Sequence, residues 1–137
     1  MTTYSFRKRE RMVSRRLIET LFTGSRSMAA FPLRAVYQIQ ERGPHDEPVQ
    51  LLISVPKKRF KHAVDRNRVK RQVRESYRLH KQVLHDALPT DKRLLVAFVW
   101  LSDKLMTTGE VERQVCSLLQ RMAELAASRS GQRSEKQ

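Results

Sequence analysis

From Lys57 to Lys81 the chain reads KKRFKHAVDRNRVKRQVRESYRLHK, eleven Lys or Arg against two acids, Asp65 and Glu75. That is a net +9 in twenty-five residues, out of +14 for the whole chain of 137. Val64, Val69 and Val73 run through the same stretch, so the charge is built onto something that packs. A helix is expected from Ala63 or Val64 to about Leu88, closed by Pro89. Along it Val69, Val73, Tyr77, His80, Leu84 and Ala87/Leu88 trace one stripe, and Arg66, Lys70, Arg74 and Arg78 trace another at four-residue steps. A solvated face braced by i,i+4 salt bridges would need acids that this run lacks. The pattern describes a rigid, folded surface for a polyanion.

The rest of the charge is uneven. Residues 1–34 carry +6 (eight basic, two acidic), 35–56 carry −2 and 82–137 only +1. Two blocks, the N-terminus and the central run, thus hold the excess, as in a nucleic-acid footprint. A membrane surface would attract the same charge but would want a broad apolar helix face beside it. The length suits one domain with a real core. Its expected extent is 1–127, with a basic, extended segment at 1–11 and a disordered tail, SRSGQRSEKQ, at 128–137. The single Cys116 excludes an internal disulfide and a thiolate-rich metal site. No apolar run of membrane length and no apolar signal core is present, so a cytoplasmic protein with no membrane partner is expected.

Ser14 is placed to cap a short helix carrying Leu17, Ile18, Leu21 and Phe22, stopped by Gly24. Residues 31–40, FPLRAVYQIQ, alternate Leu33, Ala35, Tyr37 and Ile39 with Arg34, Val36, Gln38 and Gln40, a strand's period of two. After a turn at Glu41–Pro48, residues 49–55, VQLLISV, form a second strand, and the two are expected to pair as an antiparallel hairpin. Residues 93–101, RLLVAFVWL, suit a strand covered on both faces. Thr107 and Glu110 form a capping box before a last amphipathic helix marked by Val111, Val115, Leu118, Leu119, Met122 and Leu125. The fold class is α+β: helices packed on one small sheet, in the order α-β-β-(β)-α-β-α. The strands flanking the long helix are candidates for a parallel pair, whose crossover is right-handed by the general rule.

Guanidinium forks at 66, 68, 71 and 74 suit phosphate oxygens, and the Asn67 amide suits phosphate, a base edge or a 2′-hydroxyl. Phe22, Phe31, Tyr37 and Phe60 lie near the basic blocks, where rings can stack on unpaired bases. Tyr37 is the best candidate for exposure, because its strand flanks an acidic loop and its hydroxyl wants water or a partner. With Phe22 it would line a groove for single-stranded nucleic acid. Catalytic constellations are missing: the acids are scattered, His62 and His80 could serve as acid and base but fall in a connection and on the apolar stripe, and His45 and His85 stand without partners. There is no phosphate-binding glycine loop, nucleophile elbow or zinc spacing. By its side chains the chain is a binder, not a catalyst.

Residues 54–78, SVPKKRFKHAVDRNRVKRQVRESYR, resemble the signature of the bacterial ribonuclease P protein subunit. In it, Ser-Val-x-Lys-Lys leads to Arg-Asn-Arg-x-Lys-Arg and then Arg-Glu. The segment FRKRERM…LIETLFTGSRSMAAFPLRAVY is similar to that family's opening helix and first strands, and matching elements run from about Tyr4 to Leu125. The resemblance implies an α+β fold with a left-handed crossover. It also implies a ribonucleoprotein endonuclease that removes the 5′ leader of precursor tRNA, with catalysis by magnesium ions in the RNA subunit and none held by the protein. Carried over by position, Lys57, Lys58, Arg59, Arg66, Asn67, Arg68, Lys70, Arg71 and Arg74 would hold the ribonuclease P RNA. Ile18, Phe22 and Tyr37 would line the leader cleft, with Ile18 standing where the family often has Phe. The rival readings are a ribosomal or ribosome-assembly RNA-binding protein, a DNA-binding regulator and an autonomous nuclease. Incubation with precursor tRNA, with and without the cognate RNA, separates them.

Overall fold

The computed structural model describes residues 8–23 and 25–135. After a 3-10 turn at Lys8–Glu10 come α1 (Arg15–Phe22), β1 (Arg26–Ala30), β2 (Leu33–Glu41), β3 (Val49–Ser54), α2 (Ala63–His80), α3 (Gln82–Ala87), β4 (Lys92–Trp100) and α4 (Thr108–Glu135). The α+β class is as expected. Four strands form one mixed sheet in the spatial order β1-β2-β4-β3.

The most apolar strand takes the middle. Leu94 to Phe98 of β4 are all buried, and its backbone pairs antiparallel with β2 and parallel with β3. The parallel pairing across the long helix was expected; the hairpin of β2 with β3 was not obtained. A strand that buries both faces is poorly placed at an edge, where its backbone groups would also lack partners. β4 therefore inserts between β2 and β3. The hairpin that does form joins β1 to β2, from Arg26↔Tyr37 to Ala30↔Leu33.

Both faces of the sheet are covered. Leu33, Ala35, Tyr37, Leu51, Val96 and Phe98 form the larger core with Val69, Val73 and Tyr77 of α2 and Val115, Leu118 and Met122 of α4. On the opposite face α1 sets Leu21 into a smaller core with Met12, Val36, Leu95 and Ala97. Ser14 accepts from the Leu17 amide at 3.4 Å, and the box at α4 closes both ways: Glu110 N–H to Thr107 Oγ1 at 3.1 Å and Thr107 N–H to Glu110 Oε1 at 3.0 Å. That contact holds the Glu110 carboxyl below its usual range, first through the Thr107 backbone.

Two expectations are corrected. The long helix is interrupted at Lys81, where the Leu84 amide donates to the Lys81 carbonyl at 3.0 Å, a tightened turn beside a lysine whose side chain is buried. Helix α4 is drawn on through 128–134 to Glu135, across Gly131. At the other end, Lys8–Glu10 form a 3-10 turn rather than an extended stretch, and Arg11 bridges in parallel to Leu51 on the edge of β3. Residues 1–7, Gly24 and 136–137 lie outside the described residues.

Candidate nucleic-acid interface

Helix α2 is anchored by Val69, Val73 and Tyr77, all fully buried, so its outward residues are held in fixed relative positions. Asn67, Arg68 and Arg71 are exposed; Lys70 and Arg74 are half-buried on its flank. Lys57 and Lys58 stand exposed in the connection before it. The side chains of Lys57, Lys58, Asn67, Lys70, Arg71 and Arg74 make no hydrogen bond or ion pair with the rest of the described chain. That is the pattern of groups left for an external anion.

Three of the expected cations are engaged internally instead. Arg66 turns back, donating from Nη1 to the Phe60 carbonyl at 2.7 Å and the Lys61 carbonyl at 3.2 Å. It therefore braces the connection against the helix. Arg59 reaches Asp103 at 3.3 Å, and Arg68 makes a long contact to the Met106 carbonyl at 3.4 Å. Neither acid of the basic run neutralises its exposed face. Glu75 is taken by Arg78 at 2.8 Å, and that hydrogen bond, with the charges of Arg78 and Arg74, holds its carboxyl below the usual range.

A groove runs along the flank of α2. Lys70 and Arg74 form one wall, Arg11, Met12 and Val13 the other, and Leu51, Leu52 and Ile53 lie between them. The N-terminal and central basic blocks thus meet in space. Sequence reasoning missed this junction, because nothing in the linear pattern says that Arg11 pairs with the β3 edge.

The expected trio of Ile18, Phe22 and Tyr37 is not brought together. Phe22 is 49% exposed and Ile18 half-buried on α1. Tyr37 is only 7% exposed and belongs to the larger core on the other face of the sheet. The β2 residue that packs with α1 is Val36, flanked on the same face by exposed Arg34 and half-buried Gln38. The strand's alternation carried the signal: Tyr37 has the parity of Leu33, Ala35 and Ile39, the apolar set.

The histidines do not converge. His80 Nε2 lies 2.6 Å from Glu112 on α4, His62 is exposed before α2, and His85 is half-buried. Burial, and then the nearby Lys81 charge, push the His85 imidazole below its ordinary range. Among the described residues no group of three or more His, Cys, Asp or Glu could hold a metal ion. No described helix is long and apolar enough to cross a membrane.

This sheet, with α2 and α4 on one face and α1 on the other, is an architecture with known counterparts. The structure resembles the ribonuclease P protein of Thermotoga maritima (TM-score 0.64, 23% identity, 81% of this chain and 96% of that one). It also resembles that of Staphylococcus aureus (TM-score 0.60, 20% identity, 85% and 97%). In sequence, residues 6–123 match the model of the family described as Ribonuclease P. The ribonuclease P protein component of Porphyromonas gingivalis is 40% identical over 124 residues, 88% of each chain. The chain belongs to the ribonuclease P family, as a protein subunit of that endoribonuclease.

Proposed function

We propose that the chain binds the catalytic RNA of ribonuclease P through the outer face of α2 and receives the 5′ leader of precursor tRNA on the α1 side of the sheet. The observation that carries this reading is the set Lys57, Lys58, Asn67, Lys70, Arg71 and Arg74, presented on a packed scaffold without internal hydrogen bonds or ion pairs. Phosphate contacts of this kind position a partner without reading its sequence, which suits leaders of varied sequence. Among the described residues the acids offer no cluster of three or more for a metal ion. The ions and the hydrolysis are assigned to the RNA, and the protein's part is to neutralise charge between two polyanions and to hold the substrate.

The test is cleavage of precursor tRNA by the protein alone, the RNA alone and both together at low magnesium. Cleavage at the leader junction that needs both supports the proposal, and cleavage by the nucleic-acid-free protein refutes it. Arg71→Ala is expected to weaken RNA binding by about 1–3 kcal/mol, the range for a charge-assisted hydrogen bond. An unchanged dissociation constant would remove Arg71 from the interface.

The leader side consists of exposed Phe22 and half-buried Ile18 on α1, the helix that packs against Val36 of β2. Phe22→Ala is expected to cost about 1–3 kcal/mol in binding leader-bearing precursor, the value of one base stacked on an aromatic ring. Mature tRNA should bind as before; equal loss on both substrates would show that Phe22 does not meet the leader.

A further inference from the structure

Lys81 closes the basic run, but it does not face outward. Its ammonium lies 2.8 Å and 3.1 Å from the two carboxylate oxygens of Glu10, seventy-one positions away. Both residues are buried, at 7% and 5% exposure. One residue beyond Glu10, Arg11 bridges to Leu51, and the Met12 amide donates to the Leu51 carbonyl at 2.9 Å. Met12 itself is buried in the smaller core. A buried pair is seldom a net stabiliser, because desolvating two charges offsets their attraction. What such a pair does well is fix which segments meet.

We propose that Glu10 and Lys81 form a latch that docks the N-terminal segment on the β3 edge, so that its arginines and the cations of α2 make one RNA-binding surface. Both are positioning residues. Without the latch, Arg11 leaves the groove wall opposite Lys70 and Arg74, and α1, which begins four residues later, loses its tether beside β3. The inference rests on the RNA-binding reading above.

The experiment measures binding of the full-length chain to ribonuclease P RNA across a salt series, for the wild type, Glu10→Lys, Lys81→Glu and the exchanged pair carrying both. Glu10→Lys is the decisive variant because two expectations for it differ in sign. It adds two positive charges, so charge alone predicts tighter binding and a steeper salt slope. The latch predicts the reverse. If Arg11, Arg15 and Arg16 each lose a phosphate, the slope of log K against log salt becomes shallower by about two, at ~0.7–0.9 per phosphate. The exchanged pair should restore at least half of that loss.

A Glu10→Lys protein that binds as steeply as the wild type, or an exchanged pair as poor as the single variants, overturns the latch. Circular dichroism establishes folding at the assay temperature. Should reversal prevent folding, Glu10→Gln, which keeps an acceptor for Lys81, carries the test: an intermediate slope supports the latch and a wild-type slope overturns it. Failure of the underlying reading looks different, since a near-flat salt response would then appear in the wild type itself.

Discussion

Raising salt from about 50 to 200 mM is expected to weaken binding of the ribonuclease P RNA about a thousandfold, if roughly six phosphates are neutralised. Six is the number of cations whose side chains α2 and its connection hold without bonds to other described residues, Lys57, Lys58, Lys61, Lys70, Arg71 and Arg74; arginines of the N-terminal segment that also meet phosphate steepen the slope further. Each phosphate contact releases condensed counterions, and that entropy shrinks as bulk salt rises, so the loss grows as a power of concentration. Fluorescence anisotropy with labelled RNA at four or five salt concentrations measures the slope directly. A slope near zero would mean that the cations serve solubility and that α2 does not meet the backbone.

The second large effect concerns Tyr37. Because it is buried between the sheet and the helices α2 and α4, Tyr37→Ala is expected to destabilise the fold by about 3 kcal/mol, the low end for emptying a buried aromatic site. At 1.36 kcal/mol per factor of ten, the folding constant falls by about two orders of magnitude. Urea unfolding measures it as a lower midpoint with an unchanged slope. Whatever folded protein remains should keep the wild-type preference between precursor and mature tRNA. A variant of full stability that selectively loses the precursor would put Tyr37 back in the leader cleft.

These two residue sets show where the sequence was readable. Cations at 66, 70, 74 and 78 and apolar residues at 69, 73 and 77 repeat with the period of one helix, so the orientation of α2 followed from local spacing. The same held for α4, its capping box at Thr107, and the doubly buried β4. Long-range pairing was not readable in that way. β1, RSMAA, has too little apolar content to announce a strand and exists because β2 offers it an edge. The hairpin of β2 with β3 failed because adjacency along the chain says nothing about which strand most needs the centre. Arg66 looked like its neighbours and turned out to hold the connection, since carbonyls at 60 and 61 come within reach only once the chain turns into the helix. Lys81 was hidden for the same reason: its partner is Glu10, and no local pattern links them.

The place of β4 also bears on how the protein is made. It is the last of the four strands in chain order, yet the β1–β2 hairpin and β3 are joined into one sheet only through it. A nascent chain that has reached β3 can form the β1–β2 hairpin but cannot pair it with β3. Closure must wait until Trp100 has emerged, and until then two strand edges and much of the positive charge stand open. Folding of nearly the whole core therefore waits for β4, and truncation before residue 100 should leave an aggregation-prone polycation rather than a smaller domain.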